Sequence, residues 1–236
     1  MPHLTMVDNI FVLYLGSPGV ENSENAFTPD WLAEVHDLLD QVDAAEGPTA
    51  LITTATGKYY STGLDTGWVM AHLDQLDAFT TAVQLLFARM LELATPTVAA
   101  LPGHTFGGGA LFSLAHDHAL MRADRGYFCM PGVNIGASYA PGTIDFVADR
   151  TTPRAAHELL VGGLRYGGPQ AVELGVVDEA VSLDDLMPRA LERARLVQNT
   201  RGRALQEIKT KLHAATLERL REPAVGVNDQ AVVSDR

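Results

Sequence analysis

Pro96-Thr97-Val98-Ala99-Ala100-Leu101-Pro102-Gly103-His104-Thr105-Phe106-Gly107-Gly108-Gly109-Ala110 is the stretch on which the reading of this chain turns. Residues 97–101 read as a short apolar strand and residues 111–115 as the helix that follows. Three adjacent glycines at a strand-to-helix junction leave helix-start N–H groups unshielded, so an anionic oxygen can approach them closely. No carboxylate occurs in residues 103–114, and the next turn, residues 130–136, contains none either. Three better-known motifs fail here. A P-loop needs Lys-Ser or Lys-Thr where Gly109-Ala110 stands, a dinucleotide fingerprint needs glycine at Phe112, and Gly-x-Ser-x-Gly does not occur.

Working outward, residues 9–15 form an apolar run ending at the turn cluster Gly16-Ser17-Pro18-Gly19. Thr28 is placed to cap a helix, with Pro29 at its first position and Asp30 complementing its dipole. Leu32, Val35, Leu39 and Val42 share one face of that helix. Residues 48–53 read as a strand and 54–62 as a polar loop. Residues 73–94 carry helical periodicity that stops before Pro96. Strands are expected at 118–122, 126–130 and 176–181, and helices at 152–161, 168–174 and 184–199. A last amphipathic helix is expected over 202–221, with Leu205, Ile208, Leu212, Ala215 and Leu220 on one side. Alternating strands and helices that give way to helices alone imply an α/β fold with a helical C-terminal region.

The chain has 236 residues, 47% of them apolar and 19% charged, with a net charge of -12. That balance fits a globular protein and disfavours nucleic acid, which needs a basic face. The single cysteine, Cys129, excludes an intramolecular disulfide framework and a CxxC zinc or redox motif. No metal site is expected. No membrane-spanning run and no basic leader followed by an apolar segment occurs, and a cytoplasmic location is expected.

Residues 96–109 with Asp117 beyond them, together with Lys58-Tyr59-Tyr60-Ser61-Thr62-Gly63-Leu64-Asp65 upstream, resemble two signatures of the enoyl-CoA hydratase/isomerase (crotonase) superfamily. Residues 128–136 and Ala171-Val172-Glu173-Leu174-Gly175-Val176-Val177-Asp178 match later landmarks, so the resemblance covers about residues 9–220. Gly63-Leu64-Asp65 and His116-Asp117 look most like the Δ3,Δ2-enoyl-CoA isomerase-like branch. The resemblance implies a spiral of repeated ββα units over residues 1–182 and a helical trimerisation region over 183–222; residues 223–236 are expected from the sequence itself to be a mobile tail. It implies an acyl-CoA or enoyl-CoA ligand with no other cofactor, and a homotrimer or hexamer. The thioester carbonyl would sit in an oxyanion hole made by the backbone N–H groups of Leu64 and Gly108. Ala26, Lys58, Gly63 and Asp65 complete the matching substrate-binding positions.

Two departures stand against that pattern. Where family hydratases keep a glutamate after the triple glycine, this chain has Leu111, and where many members keep another in the following turn, it has Gly132. Hydration and double-bond migration both need a group that accepts and returns a proton, typically worth about 10²–10⁴-fold in rate. Asp145 is the substitute base the sequence offers. His104 ranks next, with Tyr139 and His116 below it, while Asp65 reads as a helix cap and Asn134 as a residue of the turn. An enzyme with a non-standard base, an acyl-CoA binding protein without hydratase turnover, and a scaffold whose glycines only allow close packing all remain open.

Overall fold

The computed structural model describes residues 1–227. Its centre is a six-stranded sheet in the order β1 (His3–Val7), β2 (Ile10–Tyr14), β3 (Leu51–Thr54), β5 (Thr97–Leu101), β7 (His118–Arg122), β9 (Glu179–Val181). β1 pairs antiparallel to β2, and every other pair in the sheet is parallel. Parallel strands are covered on both faces, which is why they read as continuous apolar runs. Val98 and Ala100 of β5 join Ile52 and Leu120 in a cluster that packs against Leu186, Ala190 and Ala194 of α8 (Leu183–Val197). The alternate residues Ala99 and Leu101 face the larger core, shared with α1 (Pro29–Ala44) and α3 (Leu76–Leu91).

A second, parallel sheet holds β4 (Tyr59–Ser61), β6 (His104–Phe106) and β8 (Phe128–Cys129). Each of these short strands follows a strand of the main sheet and leads towards a helix, so β3-β4, β5-β6 and β7-β8 are successive turns of a ββα spiral. The expected α/β fold is therefore present in the crotonase-like form. Residues 54–62, expected as a loop, contain β4. Two- and three-residue strands carry no alternation to detect, and their pairing comes from residues far along the chain.

Thr28 caps α1 by accepting the Trp31 N–H at 3.1 Å, with Pro29 and Asp30 in the first turn as expected. The last helix is a correction. It breaks at His213 into α9 (Arg203–Leu212) and α10 (Ala214–Arg221). Ile208 and Leu212, expected to pack inward, are 63% and 70% exposed, while Lys209 and His213 are buried. The reason is electrostatic. Lys209 Nζ reaches Asp117 at 2.9 Å and His213 Nδ1 reaches Asp149 at 2.7 Å, which turns these two residues inward and leaves Ile208 and Leu212 outside, beside the exposed Arg203, Glu207 and Lys211. The tail expected to be mobile is held over its first residues. Ala224 is buried with its N–H donating to Thr81, and the amides of Gly226 and Val227 donate to Asp77. Residues 228–236 lie outside the described residues.

Candidate functional site

Two chain segments meet here, one leading into α1 and the other following β4. Residues 24–27 run beside 61–65: Thr62 N–H donates to Glu24 O, Phe27 N–H to Gly63 O at 2.7 Å, and Asp65 N–H to Phe27 O at 2.9 Å. This parallel bridge uses the peptide groups on either side of Leu64 and turns the Leu64 N–H away from residues 24–27. Asp65 then caps α2 (Thr66–Ala71), accepting the Trp68 N–H at 2.8 Å, as its residue type and place predict.

Gly108 opens α4 (Gly108–Leu114), after Gly107 at φ 50°, ψ -119°. A first-turn N–H has no partner inside its own helix. Among the described residues, neither the Gly108 N–H nor the Leu64 N–H donates to a protein acceptor. The two loops are in direct backbone contact, because a Cβ on Gly63 would stand 2.3 Å from Gly108 N and 2.8 Å from its Cα. Gly63 also has φ +81°, so a side chain is disfavoured there twice over. A Cβ on Gly109 would stand 2.5 Å from Ser61 O, which explains why the run of glycines continues. The result is a pair of unpaired amide donors beside one another at the start of a helix with no acidic residue in its first turn. Such a pair can hold one oxygen that carries or gains negative charge.

The other sequence-derived positions are distributed around this pair. Ala26 is half-buried in the segment that bridges Leu64. Lys58 is exposed at the start of β4, with its ammonium 5.0 Å from the centre of the Tyr59 ring. His104 lies among Tyr59, Phe106 and Tyr127, and burial together with the nearby Lys58, Arg165 and Arg125 charges pushes its imidazole below its ordinary value. Asn134 donates to Gly163 O at 2.6 Å and so serves the turn, as its place suggests. Asp145 stands on the exposed side of α5 (Pro141–Arg150) in an ion pair with Arg219 at 2.9 Å, so the structure gives it a partner on α10.

Leu111 is buried within α4, in the main core. Gly132 is buried too, and the ring of Tyr139 lies against it, with the tyrosine hydroxyl accepting the Gly132 N–H at 3.1 Å. Six residues, 133–138, lie between Gly132 and Tyr139, and no periodicity links the two in the sequence. Cys129 is buried and its thiol is pushed up by that burial, which is the behaviour of a packing residue.

A family model described as enoyl-CoA hydratase/isomerase matches residues 8–233. The chain belongs to the enoyl-CoA hydratase/isomerase family. Within the family it lies with the isomerase-like branch. It is 35% identical over 180 residues to "Enoyl-CoA delta isomerase 2, peroxisomal" of Arabidopsis thaliana, covering 73% of each chain. It is 30% identical over 208 residues to carnitinyl-CoA dehydratase of Escherichia coli, covering 88% of this chain and 78% of that protein. Among solved structures, the human mitochondrial delta3-delta2-enoyl-CoA isomerase shares the fold with TM-score 0.80 at 23% identity, over 93% of this chain and 85% of that one. A probable enoyl-CoA hydratase from Mycobacterium tuberculosis does so with TM-score 0.84 at 23% identity, over 98% and 94%. No helix among the described residues of this family member is long and apolar enough to cross a membrane.

Proposed function

We propose that this family member binds the thioester of an acyl-CoA with its carbonyl oxygen between the N–H groups of Leu64 and Gly108. The observation that carries the reading is the pair of unpartnered amides brought together by the contact of Gly63 with Gly108. Amides fixed before the ligand arrives need no reorganisation when negative charge grows on the oxygen, and losing one such donor costs about 3–4 kcal/mol. Lys58, exposed beside the Tyr59 ring, supplies a cation for the phosphates of coenzyme A, and Ala26, Gly63 and Asp65 line the approach. The names of the Arabidopsis isomerase and the bacterial dehydratase support a coenzyme A thioester as the ligand class.

Leu111 and Gly132 leave the site without the two glutamates through which the family hydrates or isomerises enoyl thioesters. The site therefore holds and polarises the thioester without hydratase turnover. Calorimetric titration with butyryl-CoA against free coenzyme A tests binding, and incubation with crotonyl-CoA and a 3-enoyl-CoA, followed by the absorbance of the conjugated thioester, tests turnover. Binding that depends on the thioester, with no absorbance change at high protein concentration, is expected. Absence of heat sinks the binding reading, and a rapid absorbance change sinks the non-catalytic one.

Self-association belongs to the same reading. The exposed side of α9, with Ile208 and Leu212, and Leu196 at 70% exposure on α8, presents apolar surface that a second copy would cover. A homotrimer is the state we assign, with hexamer and monomer as the alternatives that light scattering separates.

A further inference from the structure

Gly63 makes the Leu64 donor possible and also leaves it unsteady. At φ +81° it holds a conformation that other residues avoid, and without a Cβ it resists little when the next peptide group turns over. Such a turn would swing the Leu64 N–H away from Gly108 and put the Gly63 carbonyl in its place. Two hydrogen bonds oppose it. Phe27 N–H holds Gly63 O at 2.7 Å, and in a trans peptide the N–H leaves from the edge opposite the carbonyl, so the Leu64 N–H points the other way. The Gly63 N–H, which belongs to the preceding peptide, donates to Ser61 Oγ at 3.0 Å.

Ser61 is fully buried at the end of β4, and its hydroxyl makes a second bond. It donates to Asn25 O at 2.8 Å, so one side chain ties the loop that carries Leu64 to the segment that carries Phe27. Asn25 is itself fixed. It is 5% exposed, it holds φ +49°, and its Nδ2 donates to Tyr59 O at 3.2 Å and Tyr60 O at 3.0 Å, which sets its own carbonyl opposite Ser61. Ser61 also backs the second donor, because a Cβ on Gly109 would stand 2.5 Å from Ser61 O and 2.7 Å from Ser61 Cβ. The residue after Gly108 therefore lies directly against it.

We propose that Ser61 is the positioning residue of the amide pair: its hydroxyl latches Gly63 to Asn25 and so keeps the Leu64 N–H beside that of Gly108. This rests on the thioester reading of those two amides. Ser61 acts through the Gly63 backbone and contributes no contact of its own to the ligand. With alanine at 61, the Gly63 N–H and the Asn25 carbonyl lose the partner they share. The Leu64 donor is then no longer fixed in advance, and part of the binding energy goes into orienting it.

Ser61→Ala tests this through two readouts that respond to the carbonyl site. Calorimetry with butyryl-CoA and with free coenzyme A measures the preference for the thioester, and infrared difference spectra of butyryl-CoA labelled at its carbonyl measure the polarisation of that bond. In Ser61→Ala the preference is expected to fall about three- to tenfold, the worth of one net hydrogen bond, while free coenzyme A binds as before. The carbonyl band, lowered on binding to the wild type, should move back towards its position in solution. Thr62→Val, which removes the neighbouring hydroxyl from Glu24 O but leaves the Gly63 N–H paired, should keep both signals. Ser61→Cys, with a weak donor and acceptor in place of the hydroxyl, gives the same reading if the alanine variant does not fold.

A folded Ser61→Ala with full preference and full band shift overturns the proposal while leaving the thioester reading standing. So does an equal loss of affinity for both ligands, or the same loss in Thr62→Val. A wild type that shows no preference for the thioester overturns the thioester reading itself, and this inference with it.

Discussion

Gly63 and Gly108, 45 positions apart in the chain, touch backbone to backbone, so closely that a methyl group on the first would stand 2.3 Å from the amide nitrogen of the second. The contact sets the two candidate donor amides side by side, and no side chain at Gly63 leaves it intact.

Gly63→Ala is expected to destabilise the fold by at least about 1 kcal/mol, because alanine at φ +81° is strained before the clash is counted. The separation of the loops should also lower affinity for an acyl-CoA by tenfold or more. Urea unfolding and calorimetric titration of the same variant read the two effects, and unaltered affinity in a folded variant refutes the paired-amide site.

Asp145→Asn removes an exposed ion pair with Arg219, and solvent-screened pairs of this kind add little to stability. Thermal unfolding should change little, and acyl-CoA affinity and any residual turnover should be those of the wild type. Loss of a measurable turnover in a stable variant would restore Asp145 as the substitute base.

His116 is fully buried, with Nε2 2.8 Å from Thr53 Oγ1 and its Nδ1–H donating to Phe112 O at 2.9 Å, while Thr53 Oγ1 also meets Tyr60 Oη at 2.7 Å. Burial pushes the imidazole down to about 4 from 6.5. Between those values the unfolded chain binds a proton that the folded one refuses, so stability falls as pH drops from about 6.5 to about 4 and levels off below. The difference amounts to about 3 kcal/mol. Urea midpoints at pH 7 and pH 4.5 for the wild type and His116→Gln provide the check; an equally steep pH dependence in the variant assigns the loss to other groups.

Lys209 and Asp117 respond differently to loss of the partner. Lys209 is buried, and burial lowers its ammonium below the ordinary value despite the Asp117 carboxylate at 2.9 Å, whereas Asp117 also accepts the Thr97 N–H and hydroxyl. Asp117→Ala, which strands the lysine and orphans the start of β5, should cost about 2–3 kcal/mol. This lies below the range for a fully buried pair because Asp117 is partly in water. Lys209→Met should cost less, and urea unfolding that ranks the two the other way contradicts this account.

Copies that associate through α9 should come apart when its stripe is charged. Ile208→Glu with Leu212→Glu places two carboxylates on surface that is exposed in the single chain, so the fold should persist while light scattering reports monomer in place of trimer. A wild type that is already monomeric removes the assignment.

Where the structure follows the sequence, the signal is local. The cap at Thr28, the apolar runs of β2, β3 and β5 and the cap at Asp65 depend on neighbours a few residues away, so composition and spacing reveal them. The triple glycine announced a close approach of backbone for the same reason. β4 and β6 were hidden because their pairing partners are remote, whereas β8 lies within the strand expected at 126–130; the inward turn of Lys209 and His213 was hidden because their partners Asp117 and Asp149 lie far off in sequence.

By itself, then, the sequence determined the order of the main-sheet strands and longer helices, the glycine-rich junction and the two places where a carboxylate is missing. Only the tertiary structure decided what fills the second of them. Tyr139 reaches Gly132 across a turn without periodicity, and a hydrogen bond between side chain and backbone leaves no mark in spacing. The pairing of Gly63 with Gly108 has the same origin, since two amides become one binding site only when the chain that separates them has folded.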